Sequence, residues 1–106
     1  MDPADATLSV TVDHDPDGTP VIALGGELDL STAPIAERAF ATLPEPQDGG
    51  HVVVDMAELT FMDSSGLTVL VMAVNEGYAV RLRRPTMIIR QLIAATGLRE
   101  TLPIEL

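Results

Sequence analysis

Two short polar clusters interrupt this chain where apolar runs meet: Gly26-Glu27-Leu28-Asp29-Leu30-Ser31-Thr32 and Phe61-Met62-Asp63-Ser64-Ser65-Gly66. Each follows a strand-like run and precedes a helix-like one. Consecutive strands of an α/β sheet bring such junctions to one rim, where these folds present their sites. The second cluster sets one or two serine hydroxyls at a helix N-terminus, where free amides and the positive end of the helix dipole favour an anion. The residues alone leave two readings open. Ser64 or Ser65 caps the helix while Gly66 permits a tight turn, or the cluster carries a phosphate.

Other chemistry finds little support. Ser64 lacks the Gly-x-Ser-x-Gly elbow of a serine hydrolase. His14 sits in an acidic turn and His51 opens a strand; both read as ordinary surface histidines, and no enzyme activity is expected. Asp13, Asp15 and Asp17 are dense enough for calcium, but Gly18 is misplaced for an EF-hand and no loop-ending glutamate follows, which leaves a polar turn. The chain has no cysteine, which removes disulfides, thiolate metal sites and a thiol nucleophile. No cofactor or metal is implied.

The 106 residues are 46% apolar, with six basic residues against sixteen acidic ones and a net charge of −10. At this mass, area scaling gives roughly 5,700 Å² exposed when folded against about 16,000 Å² unfolded, enough burial for one core without staples. One domain over residues 1–106 is expected, with 1–6 a flexible tail. The negative charge repels a phosphate backbone, and no basic stripe interleaved with aromatics offsets it, so no direct nucleic-acid partner is expected. Arg81, Arg83, Arg84 and Arg90 form a local basic cluster. The alternation of Arg81 and Arg83 reads as a solvated strand face ahead of a phosphate or acidic-partner site. The opening Met1-Asp2-Pro3-Ala4-Asp5 has no basic leader, and no apolar run approaches the ~18 residues of a membrane span. A cytoplasmic protein without a membrane partner is expected.

The elements that must position the two clusters follow from periodicity. Residues 7–13 alternate apolar and polar and end in Asp15-Pro16-Asp17-Gly18, a strand entering a hairpin turn. Val21-Ile22-Ala23-Leu24 forms its antiparallel partner, stopped by Gly25 and Gly26. Ser31-Thr32-Ala33-Pro34 starts a helix with Ile35, Ala36, Ala39, Phe40 and Leu43 at helical spacing. Val52-Val53-Val54 reads as a central strand buried on both faces. The run from Leu67 to Val74, read as a helix, is apolar on both sides: Leu67, Leu70, Val71 and Val74 on one, Val69, Met72 and Ala73 on the other. The second side needs cover from another element or from a partner protein. Ala79–Arg83 reads as a strand, and Thr86 to Gly97 as a helix closed by a Schellman cap on Leu98. Leu102, Pro103 and Ile104 form a short edge strand or a packed tail. The order ββαβαβα(β) predicts an α/β fold: a small mixed β-sheet of four to five strands with three or more helices.

With these elements in place, the chain resembles anti-sigma-factor antagonists of the STAS domain family. Gly26-Glu27-Leu28-Asp29 with Thr32-Ala33 is similar to the family's strand-to-helix segment, and Phe61-Met62-Asp63-Ser64-Ser65-Gly66-Leu67 to its phosphorylation segment. The resemblance spans nearly the whole chain. It implies the STAS fold, and a hydroxyl on Ser64 phosphorylated by an anti-sigma factor that is also a serine kinase. The unphosphorylated form then binds that factor and frees a sigma factor, the phosphorylated form lets go, and a serine phosphatase resets it. By the same carry-over, Asp29 and Asp63 belong to the surface around Ser64, and Ser65 with Gly66 shapes the turn; with Thr32 of the first cluster and with Val69 and Met72 on the second apolar side of the following helix they make up the expected partner-binding residues.

Two departures stand out. Thr68 occupies a position where many relatives carry a second glycine. The stretch from Asp63 to Pro85 is about six residues shorter than usual, which takes more than a turn from the helix after Ser64. Two rivals remain. An acyl carrier protein also places Asp-Ser at a helix start but is a helical bundle, against the strands read here. A STAS domain serving as a non-phosphorylated scaffold, or as a small-molecule or nucleotide sensor, keeps the fold and drops the switch.

Overall fold

The Asp-Pro-Asp-Gly turn binds its own backbone. Gly18, at φ +90°, donates its amide to the Asp15 carbonyl at 2.8 Å, and the Asp17 carboxylate accepts the Thr19 amide at 2.9 Å. That closure pairs β1 (Leu8–His14) antiparallel with β2 (Pro20–Leu28). The computed structural model describes residues 8–46 and 49–105; the tail expected at 1–6 lies outside them. Two crossover units follow: α1 (Ala33–Ala41) leads to β3 (His51–Met62), and α2 (Ser64–Asn75) to β4 (Ala79–Arg83), with β2, β3 and β4 parallel. The sheet order is β1-β2-β3-β4, and α3 (Met87–Ala95) completes the helical layer. A sheet and three helices separate the chain from the bundle of an acyl carrier protein.

The core lies between the sheet and the helices. Ile22, Leu24, Val52, Val54, Met56 and Leu82 meet Ala36, Phe40, Leu70, Ile89 and Ile93, all buried. Val52, Val53 and Val54 are each fully buried, as the β-branched run predicts for a central strand. The strands run further than their apolar cores. Gly25 and Gly26 do not stop β2; they lie opposite two bulges of β3, where the pairing shifts by one residue between Ala23 and Gly25 and again between Gly26 and Glu27. Gly26 takes φ +95°, and a Cβ on Gly25 would stand 2.7 Å from the Ser9 hydroxyl of β1. Glycine here serves the close approach of β1 and the irregular pairing with β3 rather than a stop.

The apolar second side of α2 is covered largely by α1: Val69 and Ala73 are buried, and Met72 alone on that side is half exposed. Thr86 caps α3, accepting the Ile89 amide at 3.4 Å. The helix ends in the expected Schellman closure, with Gly97 at φ +76° and the amides of Gly97 and Leu98 donating to Ala94 and Ile93. The closing residues extend the sheet by one bridge, Leu82 to Ile104, while Leu102 is buried. Among the described residues no helix is long and apolar enough to cross a membrane.

Of the arginines on β4, Arg83 is paired rather than left to solvent. Arg83 donates to Glu105 at 2.5 and 3.1 Å and to Asp15 at 2.9 and 3.2 Å, tying the C-terminal segment and the hairpin turn to the far edge of the sheet. Arg84, at φ +55°, pairs with Asp55. The guanidinium of Arg83 holds the Glu105 carboxyl below the usual carboxylate range. Glu105 therefore contributes stability above its unfolded pKa, lost as pH falls through the depressed one. Glu105→Gln should lower unfolding free energy at pH 7 by about 1 kcal/mol, as expected of a partly exposed charge-assisted pair. Urea titrations should show that difference shrink as pH falls below the ordinary carboxylate value and vanish once the depressed one is passed.

Candidate functional site

Parallel pairing of Leu28 with Met62 brings the ends of β2 and β3 level, so the junctions after them sit side by side on strands about 4.8 Å apart. A hydrogen bond joins them: the Asp63 amide donates to the Leu28 carbonyl at 3.3 Å. Asp63 then caps α2. Its backbone is extended, and its carboxylate accepts the amides of Ser65 at 2.9 Å and Gly66 at 3.3 Å. Neither serine caps the helix, which corrects that reading of the cluster. Ser64 is the first helical residue and is exposed, and among the described residues no group hydrogen-bonds its hydroxyl. Thr68, one turn on, donates its hydroxyl to the Ser64 carbonyl at 2.9 Å.

The neighbouring junction is built on Asp29 and Thr32. The Asp29 carboxylate accepts the Ser31 hydroxyl at 2.8 Å and the amides of Ser31 and Thr32 at 3.0 and 3.1 Å. These donors, the Ser31 hydroxyl foremost, hold its carboxyl below the usual value, so Asp29 is charged at neutral pH. Thr32 precedes α1 without capping it. Its buried hydroxyl faces back, accepting the Asp29 amide at 2.9 Å and donating to the Glu27 carbonyl at 2.9 Å.

Gly66 is buried beneath this rim. A Cβ there would stand 2.5 Å from Met62 and 2.8 Å from Leu28, so the start of α2 packs directly on the last residues of both strands. Ser65 is half-buried, Val69 is buried between α1 and α2, and Met72 lies exposed two turns along α2. The rim thus joins Asp29, Asp63, Ser64 and Ser65 at its surface, with Thr32 and Gly66 fixing them from below. Met72 lies apart, further down the helix. Sequence reasoning missed Leu30 and Phe61, large apolar side chains left exposed at the two junctions. Their signal was apolar residues inside otherwise polar turns.

His14 and His51 lie at the other end of the sheet, lining a cavity of about 250 Å³ with Tyr78 and Pro44. The twelve residues of β3 separate His51 from Ser64 by more than about 30 Å, so no serine–histidine couple forms.

The family model described as "Mlab, STAS domain" matches residues 10–104. The chain belongs to the STAS family. Among solved structures, this STAS domain is similar to an anti-sigma factor antagonist from Mycobacterium paratuberculosis, at 30% identity over 93% of this chain and 86% of that one, with a TM-score of 0.73. It shares the fold of the anti-sigma factor antagonist SpoIIAA in its unphosphorylated form, at 22% identity over 92% and 89% of the two chains and a TM-score of 0.73. Against the Bacillus cell fate determinant SpoIIAA in the phosphorylated form the values are 23%, 92% of each chain and 0.65.

The contacts beneath the rim of the STAS domain set two expectations. Gly66→Ala should destabilise it by about 1–3 kcal/mol through overpacking against Leu28 and Met62. Thr32→Val should cost about 1–3 kcal/mol by leaving the Asp29 amide and Glu27 carbonyl unpaired. Urea denaturation measures both, and a wild-type midpoint in either variant contradicts the packing described.

Proposed function

We propose that this domain is an anti-sigma-factor antagonist acting in the cytoplasm. Unphosphorylated, it binds an anti-sigma factor with serine kinase activity and frees a sigma factor; phosphorylation of Ser64 by that kinase releases it, and a serine phosphatase restores it. The observation that carries the reading is the Ser64 hydroxyl, exposed at the start of α2 and not engaged in capping because Asp63 does that work. The similarity to an anti-sigma factor antagonist at 30% identity supports it, as does the existence of SpoIIAA in phosphorylated and unphosphorylated forms.

The switch is electrostatic. The amides of Ser65 and Gly66 already serve the Asp63 carboxylate, so a phosphate on Ser64 adds to a negative rim instead of filling a vacant anion site. It brings about −1.5 to −2 charges at neutral pH. Each like-charge pair near 4 Å is worth about 1 kcal/mol in water and about 4 at a protein surface. About 1.4 kcal/mol is tenfold in affinity, so one or two acidic groups, or nucleotide phosphates, on the partner suffice for release. Asp29, Asp63, Ser65 and Met72 are the surface contacts in this reading, while Thr32, Gly66 and Val69 shape them from within.

Incubation with a kinase-type anti-sigma factor and ATP, followed by intact-mass measurement, should add one phosphate to the wild type and none to Ser64→Ala. Full phosphorylation of the Ala variant contradicts the assignment. Binding without any modification favours a non-phosphorylated scaffold.

A further inference from the structure

A second concave surface lies away from the rim. Glu37, Phe40 and Ala41 of α1 face Val69, Met72 and Ala73 of α2, with Glu76 just beyond it, across a groove of about 300 Å³. Its floor is apolar, formed by buried Phe40, Val69 and Ala73, and Met72 stands half exposed in it. Two carboxylates, Glu37 and Glu76, are the charged groups lining it. The α2 positions from Val69 to Glu76 span about 10 Å, two turns of a helix laid alongside. The small side chains of Ala41 and Ala73 let such a helix approach closely.

We infer that this groove is a docking site for a basic amphipathic helix of a partner protein, its apolar stripe on Phe40 and Met72 and its flanking lysines or arginines on Glu37 and Glu76. Charge complementarity selects this occupant. Anionic lipid and nucleic acid are repelled by the two carboxylates and by a chain of net charge −10. A second copy brings the same excess of negative charge. The chain's own first seven residues carry Asp2 and Asp5 and no basic side chain. Methionine suits such a site because its unbranched thioether adapts to the shape of an incoming apolar stripe. Met72 and Val69 also belong to the partner surface proposed above, so the inference deepens that reading by naming the partner's helix chemistry, and its test needs neither kinase nor ATP, so it fails separately from the phosphorylation of Ser64.

The probe is a synthetic helix with leucines at i, i+3, i+4 and i+7 flanked by lysines, titrated into isotope-labelled protein by NMR at physiological salt. A control peptide keeps the leucines and replaces the lysines with glutamates. The lysine peptide should shift the resonances of Phe40, Val69, Met72 and Ala73, and the glutamate peptide should not. Met72→Asp, and the double variant Glu37→Lys with Glu76→Lys, alter exposed side chains and should each weaken binding by about tenfold or more. No binding, equal binding of both peptides, or shifts centred on the acidic turn at Asp13–Asp17 overturns the proposal. So does concentration-dependent dimerisation, measured by sedimentation, that covers the same residues.

Discussion

Asp63 holds the site together. Its amide reaches across to the Leu28 carbonyl, so the ends of β2 and β3 are tied at the point where both chains leave the sheet. Its carboxylate takes the first free amides of α2. A helix start needs an acceptor there, and any serine that supplied one would turn its hydroxyl inward. Because an aspartate does it from the position before, Ser64 keeps helical backbone, its hydroxyl bonds no group among the described residues, and the residue stands exposed. The packing of Gly66 on Leu28 and Met62 holds that arrangement close to the sheet, since no side chain fits between them.

The strands deliver both junctions to the same level by an irregular route. β3 gains a residue on β2 at each of two register shifts, one between Asp55 and Glu58 and one between Leu59 and Phe61. Each extra residue rephases the side chains, so the core set passes from Val52, Val54 and Met56 to Leu59 and then Met62. Asp55 closes the first bulge by accepting the Ala57 amide and also holds Arg84, just past the end of β4. Without these shifts Met62 would not anchor in the core opposite Leu28, and Asp63 would not meet the Leu28 carbonyl. The rim's acidic character follows from the same placement, with Asp29 and Asp63 at adjacent strand ends.

Much of this was legible in the sequence because local signals agreed with tertiary packing. The element order, the central Val52–Val54 strand, the Schellman end of α3 and the meeting of the two polar clusters followed from periodicity, caps and topology. The bulges did not. Gly25 and Gly26 carry the composition of a strand end, and only the pairing with a longer, bulged β3 carries β2 through them. Period-two counting likewise fails across Ala57–Phe61, where the register slips. The identity of the cap was hidden because Asp63, Ser64 and Ser65 are all good caps, and the choice depends on where β3 releases the chain. The roles of Arg83 and Arg84 were hidden for another reason: their partners Asp15, Glu105 and Asp55 are distant in sequence and are brought together by the sheet alone.

The central claim is that charge on one hydroxyl at this rim decides partner binding. Calorimetric titration of a kinase-type anti-sigma factor with the unphosphorylated domain, and with the same domain stoichiometrically phosphorylated on Ser64, tests it most directly. Kd should rise by at least about tenfold on phosphorylation, the equivalent of a single like-charge contact at the interface. Equal dissociation constants for the two forms would contradict it.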